Sequence, residues 1–265
     1  MKKRLYLSLA AVGVFVAVLS AACSVVGCSH PAAAGIEPAP NTSFFGRRAQ
    51  VFLPAEAAEM AVVFVGGFTE STMVHFRSSY ETMPPLPCAG RQLRAFYDWE
   101  GGEGNLIFHS TERLQNDLRG FMQRNPHADI VLLGHSYGGS AVMDALRHLT
   151  DVQKHGRIFV VTLDPVSRFE ASAPRERAPQ VDVWLNAYCE PYRTPVDVVP
   201  LLGGPWRHCP QADVNLVYPG TERDAEGRRF RHRNPLPLLM EHSPLQHISP
   251  YELLCLELRS GKQSK

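Results

Sequence analysis

Residues 129–139 are Asp129-Ile130-Val131-Leu132-Leu133-Gly134-His135-Ser136-Tyr137-Gly138-Gly139, and they predict a strand, a tight turn and the start of a helix. The apolar run before Gly134 predicts a buried strand. Apolar residues at helical spacing follow the turn, at Ala141, Val142, Ala145, Leu146 and Leu149. Ser136 lies at the bend, where we expect strained backbone angles. Gly134 and Gly138 have no Cβ, which lets the strand and the helix approach each other.

A serine at such a bend is held above the edge of a sheet, with the next backbone N–H, that of Tyr137, directed at the same point. This arrangement suits a nucleophile whose reaction develops negative charge on an oxygen. The alternative is a glycine-rich turn of another α/β protein, in which Ser136 has no chemical role. The buried strand before Ser136 and the amphipathic helix after it favour the nucleophile.

Composition predicts a folded domain with a large core, because the chain has 265 residues and 45% of them are hydrophobic. Its 27 basic and 26 acidic residues give a net charge of +1. That balance argues against a general nucleic-acid binder, so no nucleic-acid partner is expected. We expect one catalytic domain over residues 46–262, preceded by a leader at residues 1–27 and a tether at residues 28–45.

The leader has the form of a secretory signal, with Lys2, Lys3 and Arg4 followed by an apolar run over residues 5–22. The stretch Val25-Val26-Gly27-Cys28 resembles the lipobox of bacterial lipoproteins, in which the cysteine is lipidated and becomes the mature N-terminus. That resemblance implies a membrane anchor on Cys28, with Cys23 as the alternative, and an envelope location, with Ser29 after Cys28 implying the outer membrane. An ordinary cleaved signal and an uncleaved anchor remain alternatives.

Beyond the leader and the tether, the chain has four cysteines, namely Cys88, Cys189, Cys209 and Cys255. In an oxidising compartment they permit three pairings, and the sequence does not choose among them. Cys189 and Cys209 flank one loop-rich segment, which favours that pair. The alternative is four buried thiols.

Further strands are predicted at residues 49–53, 61–65, 93–99, 158–163 and 181–188, and a short apolar run lies at residues 238–240. A final helix is predicted from Ser249, the cap, with Pro250 at the first position and Glu252 three residues after the cap. Strands alternating with helices predict an α/β fold, a mostly parallel sheet with helices on both faces. Catalytic groups are then expected at the carboxyl ends of the strands.

Serine is a poor nucleophile at neutral pH, so Ser136 needs a base and the base needs an acid to orient it. We predict Asp164 as the acid because it closes the strand after the nucleophile unit; the later candidates are Glu190, Asp197 and Asp213. Two candidate bases, His242 and His247, lie in the loop between the last apolar run and the last helix. His242 is preferred, and His247, which lies two residues before the helix cap and has little loop with which to reach Ser136, is the alternative.

The chain resembles the α/β-hydrolase superfamily, and within it the bacterial lipases and esterases, over roughly residues 49–260. The resemblance is carried by Gly66-Gly67-Phe68, Gly134-His135-Ser136-Tyr137-Gly138, Leu163-Asp164-Pro165 and His242-Ser243-Pro244. It implies that Ser136 is the nucleophile and that the base follows the last strand and precedes the last helix. It also implies an oxyanion hole formed by the N–H of Tyr137 and that of Phe68, with Gly67 as the next candidate and a plain turn at residues 66–69 as the alternative.

The same resemblance implies hydrolysis of a lipid or other carboxylic ester without a metal or organic cofactor. Amide or thioester cleavage by the same residues is an alternative, and so is a non-catalytic envelope lipoprotein that kept the fold.

Residues 190–237 lack a sustained period and are rich in Pro, Gly and Arg, so they are interpreted as a lid, an acyl-binding cap or loops. A basic cluster lies there, made of Arg228, Arg229, Arg231, His232 and Arg233. It is interpreted either as a contact for lipid headgroups or as a solvated loop.

Overall fold

The structure is a computed structural model that describes residues 51–67, 75–87, 90–98, 111–167, 176–191, 200 and 203–260. The predicted leader and tether, including Cys23 and Cys28, lie outside the described residues, as do Phe68, Cys88 and Asp197. Among the described helices, none is long and apolar enough to cross a membrane.

One parallel sheet organises the described part of the chain. Its strands are β1 (Met60–Val65), β2 (Gln92–Tyr97), β3 (Asp129–His135), β4 (Ile158–Leu163), β5 (Val183–Glu190) and β6 (Val214–Pro219). Their order across the sheet is β2-β1-β3-β4-β5-β6. The strand that precedes Ser136 is therefore central, and its carboxyl end is flanked by the ends of β1 and β4.

Helices cover the sheet on both faces. They are α1 (His75–Thr82), α2 (Glu112–Arg124), α3 (Tyr137–Arg147), α4 (Pro235–Met240) and α5 (Pro250–Ser260). Helices α2 and α3 pack on one face and α1, α4 and α5 on the other. This is the predicted α/β class, and its two-sided covering explains why the central strands are continuous apolar runs rather than alternating ones.

Strand β1 shows how the two faces are divided. Ala61, Val63 and Val65 belong to the core layer under α2 and α3, whereas Met60, Val62 and Phe64 belong to the opposite layer. All six side chains are buried. Burial of these side chains on both faces makes the hydrophobic effect the main stabilising contribution, at about 25 cal/mol per Å² of apolar surface.

The C-terminal third differs from the sequence prediction at two elements. The last strand is β6, within residues 190–237, where no element was predicted. The run at residues 238–240, interpreted as the strand run that precedes His242, belongs instead to helix α4, which begins at Pro235. An edge strand pairs on one side and is only half-buried, so β6 lacks the continuous apolar run that reveals a central strand.

Part of residues 190–237 is fixed to the sheet by the side-chain amides of Asn186, which is buried, and Asn215, which is half-buried. The Asn186 side chain on β5 donates from Nδ2 to Asn215 Oδ1 at 2.9 Å and to the Arg207 carbonyl at 2.8 Å. Asn215 in turn donates to the Cys209 carbonyl at 2.9 Å. These bonds satisfy polar groups that would be costly to bury alone, and they anchor the chain just before β6.

The predicted Cys189–Cys209 pair is wrong. Both cysteines are buried thiols, as is Cys255. Cys189 belongs to the core layer under α1, α4 and α5, and Cys209 to the layer under α2 and α3. The sheet therefore lies between the two side chains. Flanking one loop-rich segment did not bring the two cysteines to the same face of the sheet.

Helix α5 has the capping box predicted from the sequence. The Ser249 hydroxyl accepts a hydrogen bond from the Glu252 N–H, and the Glu252 carboxylate accepts one from the Ser249 N–H, each at 3.1 Å. The two side chains satisfy two N–H groups that the helix itself leaves without acceptors.

Ser249→Ala removes one of these bonds and is expected to lower the free energy of unfolding by about 1 kcal/mol. Urea denaturation followed by circular dichroism measures the change. Ser260→Ala, at the exposed end of the same helix, is the matched control and should change stability by less than about 0.5 kcal/mol. Equal effects of the two substitutions would contradict a capping role for Ser249.

Candidate active site

Ser136 lies at a sharp bend between β3 and α3. Its φ of 57° and ψ of −127° are rare for a residue with a side chain. Three backbone bonds hold the bend: Ser136 N–H donates to the Leu163 carbonyl, and the Ser136 carbonyl accepts from Gly139 and Val166. Such a strained conformation persists only where the surrounding structure imposes it, and residues in such conformations cluster at functional sites.

Glycines make this bend possible, as the sequence predicted. A Cβ on Gly134 would lie 2.6 Å from the Gly138 carbonyl oxygen, and a Cβ on Gly138 would lie 2.0 Å from the Val65 carbonyl oxygen. Gly134 therefore lets β3 approach α3. Gly138 lets α3 approach the end of the neighbouring strand β1, a contact that the sequence did not reveal.

The Ser136 side chain is hydrogen-bonded to His232. The distance from His232 Nε2 to Ser136 Oγ is 2.9 Å, and the distance from His232 Nδ1 to Asp164 Oδ2 is 2.7 Å. All three side chains are buried. A carboxylate can only accept, so Nδ1 carries a hydrogen, and in the neutral ring Nε2 then accepts from the serine hydroxyl.

Asp164 is fixed from both sides. Its Oδ1 accepts from the Cys189 N–H at 2.9 Å, while Oδ2 faces His232. It follows β4 directly, and its own N–H donates to the Ala187 carbonyl on β5. The carboxylate therefore stays aligned with the imidazole, where it can fix the tautomer and stabilise a positive charge on the ring.

The two histidines predicted as the base lie elsewhere, which corrects that prediction. His242 is exposed and its Nε2 lies 2.9 Å from Glu252 Oε1, a contact that lowers the pKa of the Glu252 carboxyl. His247 is also exposed. Both follow helix α4 rather than a strand, so neither starts from the carboxyl edge of the sheet.

The sequence did contain a signal for His232. The resemblance implies a histidine that follows the last strand and precedes the last helix, and His232 meets both conditions because β6 is the last strand. The sequence alone shows His232 only as one member of a basic cluster with four arginines. The hydrophobic pattern of a half-buried edge strand is too weak to reveal β6 in the sequence, so it does not distinguish a catalytic His232 from a histidine of a basic cluster.

The alternative acids have other contacts. Glu190 forms an ion pair with Arg207 at 3.2 Å. Asp213 accepts from the Trp184 N–H at 2.7 Å and pairs with Arg177. Of the acid candidates within the described residues, only Asp164 contacts His232.

Of the two predicted oxyanion donors, the structure describes Tyr137. Tyr137 occupies the first position of α3, so its N–H lies at the positive end of the helix dipole, next to Ser136. Gly67 passes directly over the serine, because a Cβ built on it would lie 2.4 Å from Ser136 Cβ and 2.9 Å from Oγ. Phe68, the predicted second donor, lies outside the described residues.

Three carboxylates near the His232 loop are close enough to share a cation: Asp224, Glu226 and Glu241, whose oxygens lie within 4.8 Å of one another. Arg228 bonds to the first two, and Glu241 accepts from the Ala225 N–H at 2.9 Å. Burial raises the pKa of the Glu241 carboxyl. Arg228 and the Ala225 N–H therefore already offset part of the negative charge of these three carboxylates.

The strand order, the bend at Ser136 and the chain order of serine, aspartate and histidine together define the architecture. The chain has the α/β-hydrolase fold.

No protein-family model matches the chain, and no curated protein matches it in sequence. Solved structures do resemble it. An esterase from the bacterial hormone-sensitive lipase family is 14% identical, with 78% of this chain and 80% of that chain covered and a TM-score of 0.43. The NocB thioesterase domain, in covalent complex with a fluorophosphonate nocardicin G analogue, is 17% identical over 71% and 96%, with a TM-score of 0.38. A hormone-sensitive lipase from a metagenome library is 10% identical over 62% and 69%, with a TM-score of 0.37.

Gly67→Ala should slow the reaction of Ser136 with a fluorophosphonate by about 100-fold, because the new methyl group must displace either the serine or the loop above it. The rate of covalent labelling, followed by intact-protein mass spectrometry, measures the effect. Gly120→Ala is the matched control, since its Cβ would meet only the flexible end of Arg124 at 3.0 Å within α2. Unchanged labelling of Gly67→Ala would show that the loop does not crowd the serine.

Proposed function

We propose that this protein is a serine hydrolase that cleaves carboxylic esters through an acyl-enzyme on Ser136. The observation that carries the proposal is the continuous chain of contacts from Ser136 through His232 to Asp164, at 2.9 and 2.7 Å. A serine hydroxyl, a base within hydrogen-bond reach and an acid that orients the base are the three groups that activate a nucleophilic serine.

In the acylation step, Ser136 Oγ attacks the ester carbonyl carbon while its proton passes to His232 Nε2. The imidazolium that forms faces the Asp164 carboxylate, which stabilises the charge. The carbonyl oxygen becomes an oxyanion, and the Tyr137 N–H is proposed as one donor to it. His232 then gives the proton to the leaving alkoxide as the C–O bond breaks.

In the deacylation step, water attacks the acyl carbon and His232 Nε2 takes its proton. The tetrahedral intermediate collapses, the proton returns to Ser136 Oγ and the carboxylic acid leaves. Each proton moves through the same nitrogen, so the ring must keep its position through both steps. The burial of His232 and the two bonds of Asp164 support that requirement.

The ester class comes from the resemblance of the motifs to bacterial lipases and esterases, rather than from a feature that would select an ester over a thioester. A non-catalytic protein that kept the fold is the rival of a different class. The buried and aligned contacts of His232 favour the enzyme, because a binding protein has no need of an oriented base beside a strained serine.

His232→Ala should lower kcat/KM for p-nitrophenyl butyrate by about 1,000-fold or more, because the serine loses its base. Ser136→Ala should do the same and should also abolish fluorophosphonate labelling. Hydrolysis followed by absorbance of the released p-nitrophenol measures both effects on the domain that begins near residue 46.

His242→Ala is the matched control for the base. It removes an exposed imidazole whose partner is Glu252, so activity should be unchanged. Loss of activity in His242→Ala with activity retained in His232→Ala would overturn the assignment of the base. Absence of both labelling and hydrolysis in the wild type would favour the binding protein.

We also propose that the domain is tethered to a membrane of the bacterial cell envelope by lipid on Cys28, with Cys23 as the alternative. The support is the basic start, the apolar run and the sequence Val25-Val26-Gly27-Cys28. In a bacterial host, the full chain should incorporate an alkyne-labelled fatty acid, and Cys28→Ala should not, whereas Cys23→Ala should. Incorporation lost only in Cys23→Ala would move the site there, and no incorporation in the wild type would reject the anchor.

A further inference from the structure

The main chain of His232 is hydrogen-bonded to the residue that precedes the nucleophile. His135 Nε2 lies 2.7 Å from the His232 carbonyl oxygen, and the two imidazole rings are tilted with centroids 5.0 Å apart. Both residues are buried. His135 is the last residue of β3, and its backbone is paired with Leu163 on β4. One end of this bond therefore lies at the paired carboxyl end of a central strand.

His232 itself lies outside regular secondary structure, between β6 and α4. Local backbone bonds there join Phe230 to Glu222 and Asn234 to Arg231. Neither of these bonds includes a group of His232. The Nε2 and Nδ1 contacts orient its ring, but ring contacts alone leave the backbone of a loop residue able to shift.

We propose that His135 is a positioning residue, which fixes the backbone of the catalytic base to the end of the nucleophile strand. The inference rests on the proposed function, since it assigns a role in the reaction of Ser136. The bond joins the side chain of His135, next to the nucleophile, to the main-chain carbonyl of His232. The base is therefore held near Ser136 through its main chain as well as through its ring.

The direction of the bond follows from its chemistry. A carbonyl oxygen only accepts, so Nε2 of His135 must carry a hydrogen. The same ring packs against Phe76 of α1, with centroids 5.6 Å apart. Packing alone would be met by a phenyl ring, whereas the bond needs an N–H at the distance of Nε2. This difference separates a positioning role from a core-packing role.

The test compares His135→Phe, which keeps an aromatic ring and removes the donor, with His135→Gln, which places an amide N–H the same number of bonds from Cβ. With p-nitrophenyl butyrate, His135→Phe should lower kcat by about 10- to 100-fold with little change in KM, because the base is misplaced rather than absent. His135→Gln should recover most of that loss. Thermal unfolding of both variants is measured alongside.

The outcomes are distinct. Full activity in His135→Phe, while the wild type hydrolyses the ester and is labelled at Ser136, overturns the inference and leaves the proposed function intact. Equal losses in the Phe and Gln variants, in proportion to their loss of thermal stability, also overturn it in favour of packing. A wild type that neither hydrolyses the ester nor reacts with the fluorophosphonate overturns the proposed function itself.

A second measurement does not depend on whether either variant folds. Long-range ¹H–¹⁵N correlation spectra of the wild-type protein report which imidazole nitrogens carry hydrogen. The His135 ring should carry hydrogen at Nε2, and its resonances are assigned by sequential methods on the wild type alone. A His135 ring that lacks hydrogen on Nε2 cannot donate to the His232 carbonyl, and this result would overturn the inference.

Discussion

The candidate site depends on one constraint, the positive-φ backbone conformation of Ser136. A residue with a side chain avoids this region, at a free-energy cost of about 1–3 kcal/mol, unless its surroundings impose it. Here Leu163, Gly139 and Val166 bond to its backbone, and Gly134 and Gly138 allow the elements on either side to approach. The sheet and α3 are stabilised by buried apolar surface, so the strain at one residue is small against the free energy that the core contributes.

The candidate site combines groups of unequal rigidity. Ser136 and Asp164 follow directly from the central strands β3 and β4, whose positions are set by backbone pairing. His232 comes from a loop beyond the edge strand β6. Catalysis of the proposed kind tolerates little displacement of the base, so the loop needs anchors that the sheet does not provide. The hydrogen bonds of His232 with the Asp164 carboxylate and with the His135 imidazole are these anchors. Asp164 and His135 both lie at the carboxyl ends of central strands.

Prediction from sequence succeeded where the signal was local. The bend at Ser136, the buried strands, the position of Asp164 after the next strand and the capping box at Ser249 each depend on residues close together in the chain. It failed where the signal depended on pairing. Strand β6 is half-buried at an edge of the sheet, and the run at residues 238–240 is helical. His232 lies within a run of arginines, which indicates a basic cluster rather than a catalytic base. The error about the base followed from the error about the last strand.

The sequence by itself determined the fold class and the candidates for nucleophile and acid, because hydrophobic period, glycine spacing and strand ends are encoded within short segments. Only the tertiary structure decided which histidine meets Ser136, and which face of the sheet each cysteine occupies. Those outcomes depend on how β6 pairs with β5 and how the following loop returns to the centre of the sheet. Contacts between residues 96 positions apart are selected by packing of the whole core, which no short segment encodes.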